Sequence, residues 1–204
     1  MAAHHHHLRA FVSRSRTWAR HAGRAAVALP LCLALMAAPL AQAKPGVPGA
    51  GDLPPDAVGK NLDGDTILLS QYAGRAVVLT FWATWCGYCL KELPVLENIQ
   101  NLVGPERLQV IAVNTEARDV FRKAKRALKD FKLQMIYDPD KQAQQAFGVQ
   151  GIPHMLIIGR DGRIIRLYRG YSESSLDAIA ADINAALAAP QTKAAGAGEA
   201  SSQP

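Results

Sequence analysis

Cysteine is scarce in this sequence, since only Cys32, Cys86 and Cys89 occur among its 204 residues. A structural disulfide framework normally uses several widely spaced pairs, and a structural zinc site needs about four ligands. Beyond residue 43 the chain offers two cysteines and one histidine, His154. Neither a disulfide scaffold nor a zinc-binding domain fits this composition.

Acidic residues are also missing from the first 43 positions, which hold five arginines. Because those arginines are five of the 23 basic residues, the rest of the chain has 18 basic residues against 17 acidic ones. No overall excess of positive charge remains there to attract phosphates. We therefore expect no nucleic-acid partner.

Residues 1–43 have the pattern of an export signal peptide. The arginine-rich stretch precedes the apolar run AAVALPLCLALMAAPLA (25–41), and AQA stands directly before Lys44. The run is at the short limit of the roughly 17–25 residues that span a bilayer, and Pro30 and Pro39 interrupt it. The pattern predicts a cleaved leader and a periplasmic protein. The alternative is an anchor that holds the protein to the inner membrane, facing the periplasm.

The rest of the chain is predicted to hold one domain. Residues 44–56 are rich in proline and glycine and indicate a linker, and residues 190–204 are predicted to be disordered. In the domain, 57–189, a hairpin turning at Asp63-Gly64 precedes the buried strands AVVLTFW (76–82) and LQVIAVN (108–114), and a basic amphipathic helix is expected near 117–131. Strands that alternate with helices predict a mixed sheet with helices on both sides.

Cys86 and Cys89 stand where the first buried strand passes into a helical pattern. Unpaired backbone N–H groups and the helix dipole stabilise a thiolate at such a position. Cys89, three residues later, falls on the same helical face and can close a disulfide with Cys86. This predicts a redox couple. A copper-binding module that uses both thiols, with His154 as a third ligand, is the alternative from a different functional class.

The stretch VVLTFWATWCGYC…KELP, followed by GIP and then LIIGRDGRI, resembles the thioredoxin superfamily. More closely, it is similar to the TlpA/ResA-like branch of exported thiol–disulfide oxidoreductases. The resemblance covers about residues 52–188 and implies a thioredoxin fold with an N-terminal β-hairpin extension. It also implies a protein dithiol–disulfide oxidoreductase that needs neither cofactor nor metal. The setting of a peroxiredoxin cysteine, Pro-x-x-x-Thr-x-x-Cys, is not reproduced by FWATWC.

The resemblance also implies roles for individual residues. Pro153 matches the family's cis-proline, which lies beside the disulfide and presents a backbone edge to the substrate. Ile152 would supply an apolar rim to the substrate site. Trp85 and Tyr88 are implied to flank an exposed disulfide, and His154 is a further candidate for substrate contact.

The chain departs from its relatives at two positions. Thioredoxins carry a buried aspartate where this chain has Thr80, so the proton acceptor for Cys89 is missing or has moved. Glu92, on the same helical face as Cys89, matches a glutamate of the ResA-like pattern and is the candidate replacement. The alternative is a solvated acid near the helix N-terminus. His154 stands where the cytochrome c maturation branch has an acid.

We therefore expect an exported reductant of disulfides in periplasmic proteins, in which Cys86 attacks and Cys89 resolves. Because the periplasm is oxidising, a thiol donor in the membrane would have to reset the couple. Cytochrome c biogenesis, copper-site assembly and general disulfide repair are open as tasks. A thiol oxidant is the alternative direction of electron flow.

Overall fold

The strands of the described region form one seven-stranded sheet. The computed structural model describes residues 46–191. The strands are β1 (Ala57–Lys60), β2 (Thr66–Leu68), β3 (Ala76–Trp82), β4 (Leu108–Asn114), β5 (Gln134–Tyr137), β6 (His154–Ile158) and β7 (Ile164–Arg169). The helices are α1 (Gly87–Val103), α2 (Arg118–Ala127), α3 (Gln142–Ala146) and α4 (Leu176–Ala188), with short 3₁₀ helices at Leu69–Tyr72 and Glu173–Ser175.

The sheet is mixed, and its strands lie in the order β2-β1-β5-β4-β3-β6-β7. The strands β3, β4 and β5 are parallel neighbours, whereas β6 runs antiparallel to β3 and β7 antiparallel to β6. At the other edge, β1 and β2 form a hairpin that joins the sheet through an antiparallel pairing of β1 with β5. The predicted architecture, a mixed sheet flanked by helices with an N-terminal hairpin, is confirmed.

Strand β3 is buried along its whole length, as its apolar sequence predicted. Successive side chains of a strand point to opposite faces of the sheet. Ala76, Val78 and Trp82 therefore enter a core that contains residues of α1, α2 and α4. Val77, Leu79 and Phe81 enter a second core, which contains Ala143 of α3 and Phe147. The sheet thus separates two apolar cores, and alternate residues of β3 point into one core or the other.

Helix α2 ends at Ala127, four residues before the predicted limit of about 131. The chain turns at Leu128, where the Phe131 N–H donates to the Leu128 carbonyl (3.1 Å). The turn places Leu133 in a buried position just before β5. Burial of Leu133 next to the sheet explains why the helix ends before the predicted limit.

Residues 46–56, predicted as a linker, contact the domain. Pro48 is buried, the Gly51 N–H donates to the Ile164 carbonyl (2.8 Å), and the Ile164 N–H donates to the Asp52 carbonyl (3.0 Å). Gly148, which follows α3 with a φ of +64°, has no room for a Cβ because Val47 lies against it. These contacts hold part of the predicted linker against the domain.

The predicted leader, 1–43, and residues 192–204 of the predicted tail lie outside the described residues. Within 46–191, no helix combines the length and the apolar character needed to cross a bilayer. The same part of the chain contains no cluster of three or more His, Cys, Asp or Glu side chains arranged to hold a metal ion.

Candidate active site

The two cysteines lie where β3 leads into α1. The chain leaves β3 after Trp82, and α1 begins at Gly87, so that Cys86 is the N-cap residue of the helix. The Cys86 Sγ accepts a hydrogen bond from the Cys89 N–H (3.2 Å), which satisfies one of the N–H groups left free at a helix start. Cys86 and Cys89 form a disulfide with an S–S distance of 2.07 Å. The predicted redox pair is thus assembled at the predicted strand-to-helix junction.

The two sulfur-bearing residues differ in their access to solvent. Cys86 is 6% exposed and Cys89 is fully buried, so the disulfide is more enclosed than the sequence led us to expect. Around it, Trp85 and Tyr88 are 73% and 64% exposed. A protein that docks on these aromatic side chains therefore reaches Cys86 and not Cys89.

Pro153 precedes β6, the strand that pairs with β3. The Ile152–Pro153 peptide bond is cis, as the resemblance implied. Proline has no N–H, and the Pro153 carbonyl already accepts a hydrogen bond from the Gly170 N–H (2.8 Å). A backbone edge offered to a substrate at this point would therefore come from Ile152, which is half-buried and packs against both cores.

Glu92 is a buried acid that contacts Thr80 directly. The Thr80 hydroxyl donates to Glu92 Oε2 (2.8 Å), and Glu92 is only 1% exposed, so it is not a solvated acid. On α1, Glu92 belongs to the buried face that begins with Cys89. Thr80 stands where thioredoxins have an aspartate, and Glu92 is the candidate replacement for that aspartate. The two residues thus form one hydrogen-bonded pair between β3 and α1.

The surroundings of Glu92 favour its protonated form. Burial raises the pKa of Glu92 to about 7, and the hydrogen bond from Thr80 opposes this rise. The second carboxylate oxygen, Oε1, has no hydrogen-bond partner within the described region. A carboxyl group of this kind can take up or release a proton near neutral pH on the Cys89 face of the helix.

The loop after β7 approaches the same end of α1. Tyr171 and Glu173 line, with Tyr88 and Lys91, a shallow depression of about 190 Å³. Burial, followed by the charges of Glu173 and Glu92, raises the pKa of Tyr171. The sequence does not identify Tyr171 as a neighbour of the site, because a Gly-Tyr pair after a strand looks like part of an ordinary loop.

Glu116 was also not predicted as a site residue, although it fixes the loop that leads to Cys86. Its carboxylate accepts hydrogen bonds from the Thr84 N–H (2.7 Å), the Thr84 hydroxyl (2.9 Å) and the Asn114 side-chain amide (3.2 Å). Thr84 directly precedes Trp85 and Cys86. Polar residues at the carboxyl end of a parallel strand are a signal for site residues. Asn114, the last residue of β4, and Glu116 have that position.

The position of His154 corrects the expectation that it contacts the substrate. It is fully buried and lies opposite Phe81 in the pairing of β3 with β6, so it shares the sheet face that carries α3. Its ring meets the Phe81 ring edge-on, with 6.1 Å between centroids. Cys86 and Cys89 belong to the core on the other face. The two thiols and His154 therefore do not form a common ligand set for copper in this structure.

The environment of His154 is apolar. Neither ring nitrogen has a hydrogen-bond partner among residues 46–191. Burial, and then the charge of Arg169, lower the pKa of His154 to about 4. The imidazole is therefore neutral at physiological pH.

Comparison with known proteins identifies a matching family model and relatives of this chain. The model of the Redoxin family matches residues 49–187. The thiol–disulfide oxidoreductase ResA of Bacillus thuringiensis subsp. konkukian is 28% identical over 116 residues, which cover 57% of this chain and 67% of the relative. ResA of Bacillus subtilis is 27% identical over 128 residues, which cover 60% of this chain and 68% of the relative.

A solved structure from Chlorobium tepidum, described as a thiol:disulfide interchange protein DsbE, has a TM-score of 0.60 and 28% identity to this chain. The match covers 70% of this chain and 99% of the Chlorobium protein. The similarity to ResA-type proteins that the motifs indicated is confirmed.

Proposed function

The chain belongs to the Redoxin family and is a thiol–disulfide oxidoreductase, and we propose that it acts as a reductant of disulfides in exported proteins. The observation that carries this proposal is the buried Glu92 carboxyl group on the face of α1 that begins with Cys89.

The reaction begins at the accessible sulfur. The Cys86 thiolate attacks one sulfur of the substrate disulfide, so a Cys86–substrate bond forms and the other substrate sulfur leaves as a thiolate. Glu92 then accepts the proton of Cys89, and the Cys89 thiolate attacks Cys86 Sγ. The second substrate sulfur leaves, and the Cys86–Cys89 disulfide forms. The substrate gains two electrons and the enzyme pair loses two.

The direction of electron flow depends on which form of the pair the protein stabilises. A strong oxidant of this chemistry stabilises its reduced form, as DsbA does. Here an ionised Glu92 would repel a thiolate of Cys89, which lies on the same buried helical face, and a protonated Glu92 offers that thiolate no positive partner. Glu92 therefore does not stabilise a reduced pair in which Cys89 is ionised, which supports a reductant over an oxidant.

The compartment follows from the leader-like pattern of residues 1–43, which supports export to the periplasm. An uncleaved segment would instead anchor the protein to the inner membrane, facing the same compartment. In an oxidising compartment each turnover leaves the pair oxidised, so a membrane thiol donor is required to restore it. The substrate is a disulfide-bearing periplasmic protein, and an apocytochrome c or a copper-site protein would fit that chemistry.

The order of the thiols is tested by trapping the mixed disulfide. Cys89→Ser leaves nothing to resolve the bond between Cys86 and the substrate, so this variant should accumulate the adduct. Cys86→Ser is the matched control and should capture little, because Cys89 is buried. Non-reducing gels of acid-quenched cells separate the two results, and mass spectrometry names the trapped protein. A stronger adduct in Cys86→Ser would reverse the assignment of the two cysteines.

A further inference from the structure

Helix α2 and the turn after it concentrate positive charge on one surface. Residues 118–132 contain seven lysines and arginines and two aspartates, although the chain beyond residue 43 is nearly neutral. Four of these cations line one groove and are exposed: Arg122, Lys125, Arg126 and Lys129. None of the four forms an ion pair with another residue of the described region. Their charges are therefore available to a partner.

The floor of this groove is apolar. The groove has a volume of about 490 Å³, and its floor is formed by Leu128, Phe131, Leu133 and Met135. Leu133 and Met135 are buried, and Leu128 and Phe131 are half-buried. The apolar surface is thus recessed below a rim of cations. We call this feature the basic groove.

The far wall of the basic groove is the turn of the β1–β2 hairpin. Leu62 lines the groove from that turn. The guanidinium of Arg118 donates to the Leu62 carbonyl (2.6 Å) and so ties the hairpin turn to α2. The groove is therefore held between two elements that a hydrogen bond connects.

We propose that the basic groove is a docking site for an acidic amphipathic segment of a partner protein. Apolar side chains of that segment would cover the recessed floor, and its carboxylates would meet the four cations of the rim. Charge complementarity of this kind raises the association rate and fixes the register of a complex. An amphipathic helix in an apolar groove is a recurring mode of peptide recognition.

The shape of the groove favours a protein segment over a membrane surface. Amphipathic elements that bind bilayers present protruding apolar side chains, which enter the lipid. The floor residues Leu133 and Met135 are instead recessed, so a flat surface would reach the cations and leave the floor uncovered.

The segments of the chain outside the described region do not match the groove either. Residues 1–45 contain no acid and carry basic residues, so the cations of the rim would repel them. Residues 192–204 contain one lysine, one glutamate and, apart from alanines and Pro204, no apolar side chain. A partner protein is therefore the occupant that fits.

The basic groove is separate from the thiol chemistry. It is lined by α2, the following turn, β5 and the hairpin turn, and by no residue of α1 or of the loop before Cys86. A Cys86→Ser variant should therefore bind the partner segment as the natural sequence does, so this proposal can fail or succeed independently of the proposed reaction.

A direct test uses fluorescence anisotropy with the full chain and a labelled synthetic peptide. The peptide has about 14 residues, roughly four helical turns, with Leu and Phe on one face and Glu at its flanks. One control peptide has the same composition in scrambled order, and a second has Lys in place of every Glu. We expect saturable binding of the first peptide, and affinities at least about tenfold lower for both controls.

Two variants locate the binding site. Lys125→Glu reverses a charge on the rim, whereas Lys123→Glu makes the same change in net charge on the same helix, outside the groove. Lys125→Glu should weaken binding about tenfold, and Lys123→Glu less than about twofold. Equal affinities of the two variants, or equal binding of the scrambled peptide, would overturn the proposal. Tighter, Lys125-dependent binding to vesicles of phosphatidylglycerol would overturn it in favour of a membrane surface.

Discussion

Replacing Glu92 by Gln should remove a pH-dependent loss of stability. The pKa of Glu92 is about 7 in the folded protein, against an ordinary value of 4.5, chiefly because the group is buried. Between these two values the folded state binds more protons than the unfolded chain, so the free energy of unfolding falls as the pH rises. The loss is absent below about pH 4.5 and complete above about pH 8. At about 1.4 kcal/mol per pKa unit, it amounts to about 3 kcal/mol.

The measurement is urea unfolding of the oxidised protein at a series of pH values from about 4.5 to 8.5. In the oxidised protein the disulfide removes both thiols from the titration. His154, whose pKa is lowered to about 4, contributes a separate pH dependence, but it does so in both proteins and cancels in the difference. The stability of Glu92→Gln minus that of the natural sequence should therefore grow by about 3 kcal/mol across this range.

Glu97→Gln is the matched control for this experiment. Glu97 lies on the same helix, is only half-buried and accepts a hydrogen bond from the Lys132 N–H. Glu97→Gln should not reproduce the gain of about 3 kcal/mol, because this side chain is not fully buried. If the Glu92→Gln profile were parallel to that of the natural sequence, the reasoning that links the burial of Glu92 to its protonation would be refuted.

The same substitution tests the proposed role of Glu92 as the proton acceptor of Cys89. Glu92→Gln should slow the resolving step by Cys89 and leave the first attack by Cys86 largely intact, because the amide cannot accept a proton. Single-turnover release of the substrate thiol between about pH 6 and pH 9 separates the two steps. An unchanged rate over this range would show that Glu92 takes no part in the proton transfer.

Three further predictions concern His154, Glu116 and the predicted leader. In the natural sequence, the free energy of unfolding should fall by about 3 kcal/mol as the pH falls from about 6.5 through 4, because the unfolded chain protonates His154 before the folded protein does. His154→Leu should remove this decrease. An unfolding series in which the variant keeps the decrease would contradict this prediction. Glu116→Gln should lower the free energy of unfolding by about 1–2 kcal/mol and slow reaction with substrate, because one acceptor of the Thr84 hydrogen bonds is lost. Glu106→Gln, at an exposed position, is its control and should change neither quantity. Alkaline phosphatase fused after residue 56 should be active in cells and inactive when residues 25–41 are deleted, whereas activity in both fusions would argue against export by this segment.

Much of the fold could be predicted because its signals are local. Strand β3, in which only Thr80 is not apolar, and the two-residue spacing of Cys86 and Cys89 are each contained in a few neighbouring residues. Both appear in the structure as expected. Helical spacing also placed Glu92 on the Cys89 face of α1. Its burial could not be predicted, because that depends on how closely α1 packs over Thr80 of β3.

The errors have a common physical cause, which is that strand register and loop packing are not local. His154 faces away from the thiols because β6 pairs with β3 so that His154 stands opposite Phe81. A register shifted by one residue would have turned its side chain towards the other core. Glu116 reaches Thr84 across 32 positions of sequence. No spacing rule connects such distant residues.

The reduction potential of the Cys86–Cys89 pair tests the central claim most directly. The purified protein is equilibrated with dithiothreitol redox buffers, and the oxidised fraction is read after acid quenching and alkylation of free thiols. A reductant whose buried Glu92 disfavours the Cys89 thiolate should have a potential near that of thioredoxin, about −270 mV. A value near that of DsbA, about −120 mV, would contradict the account and identify the protein as a thiol oxidant.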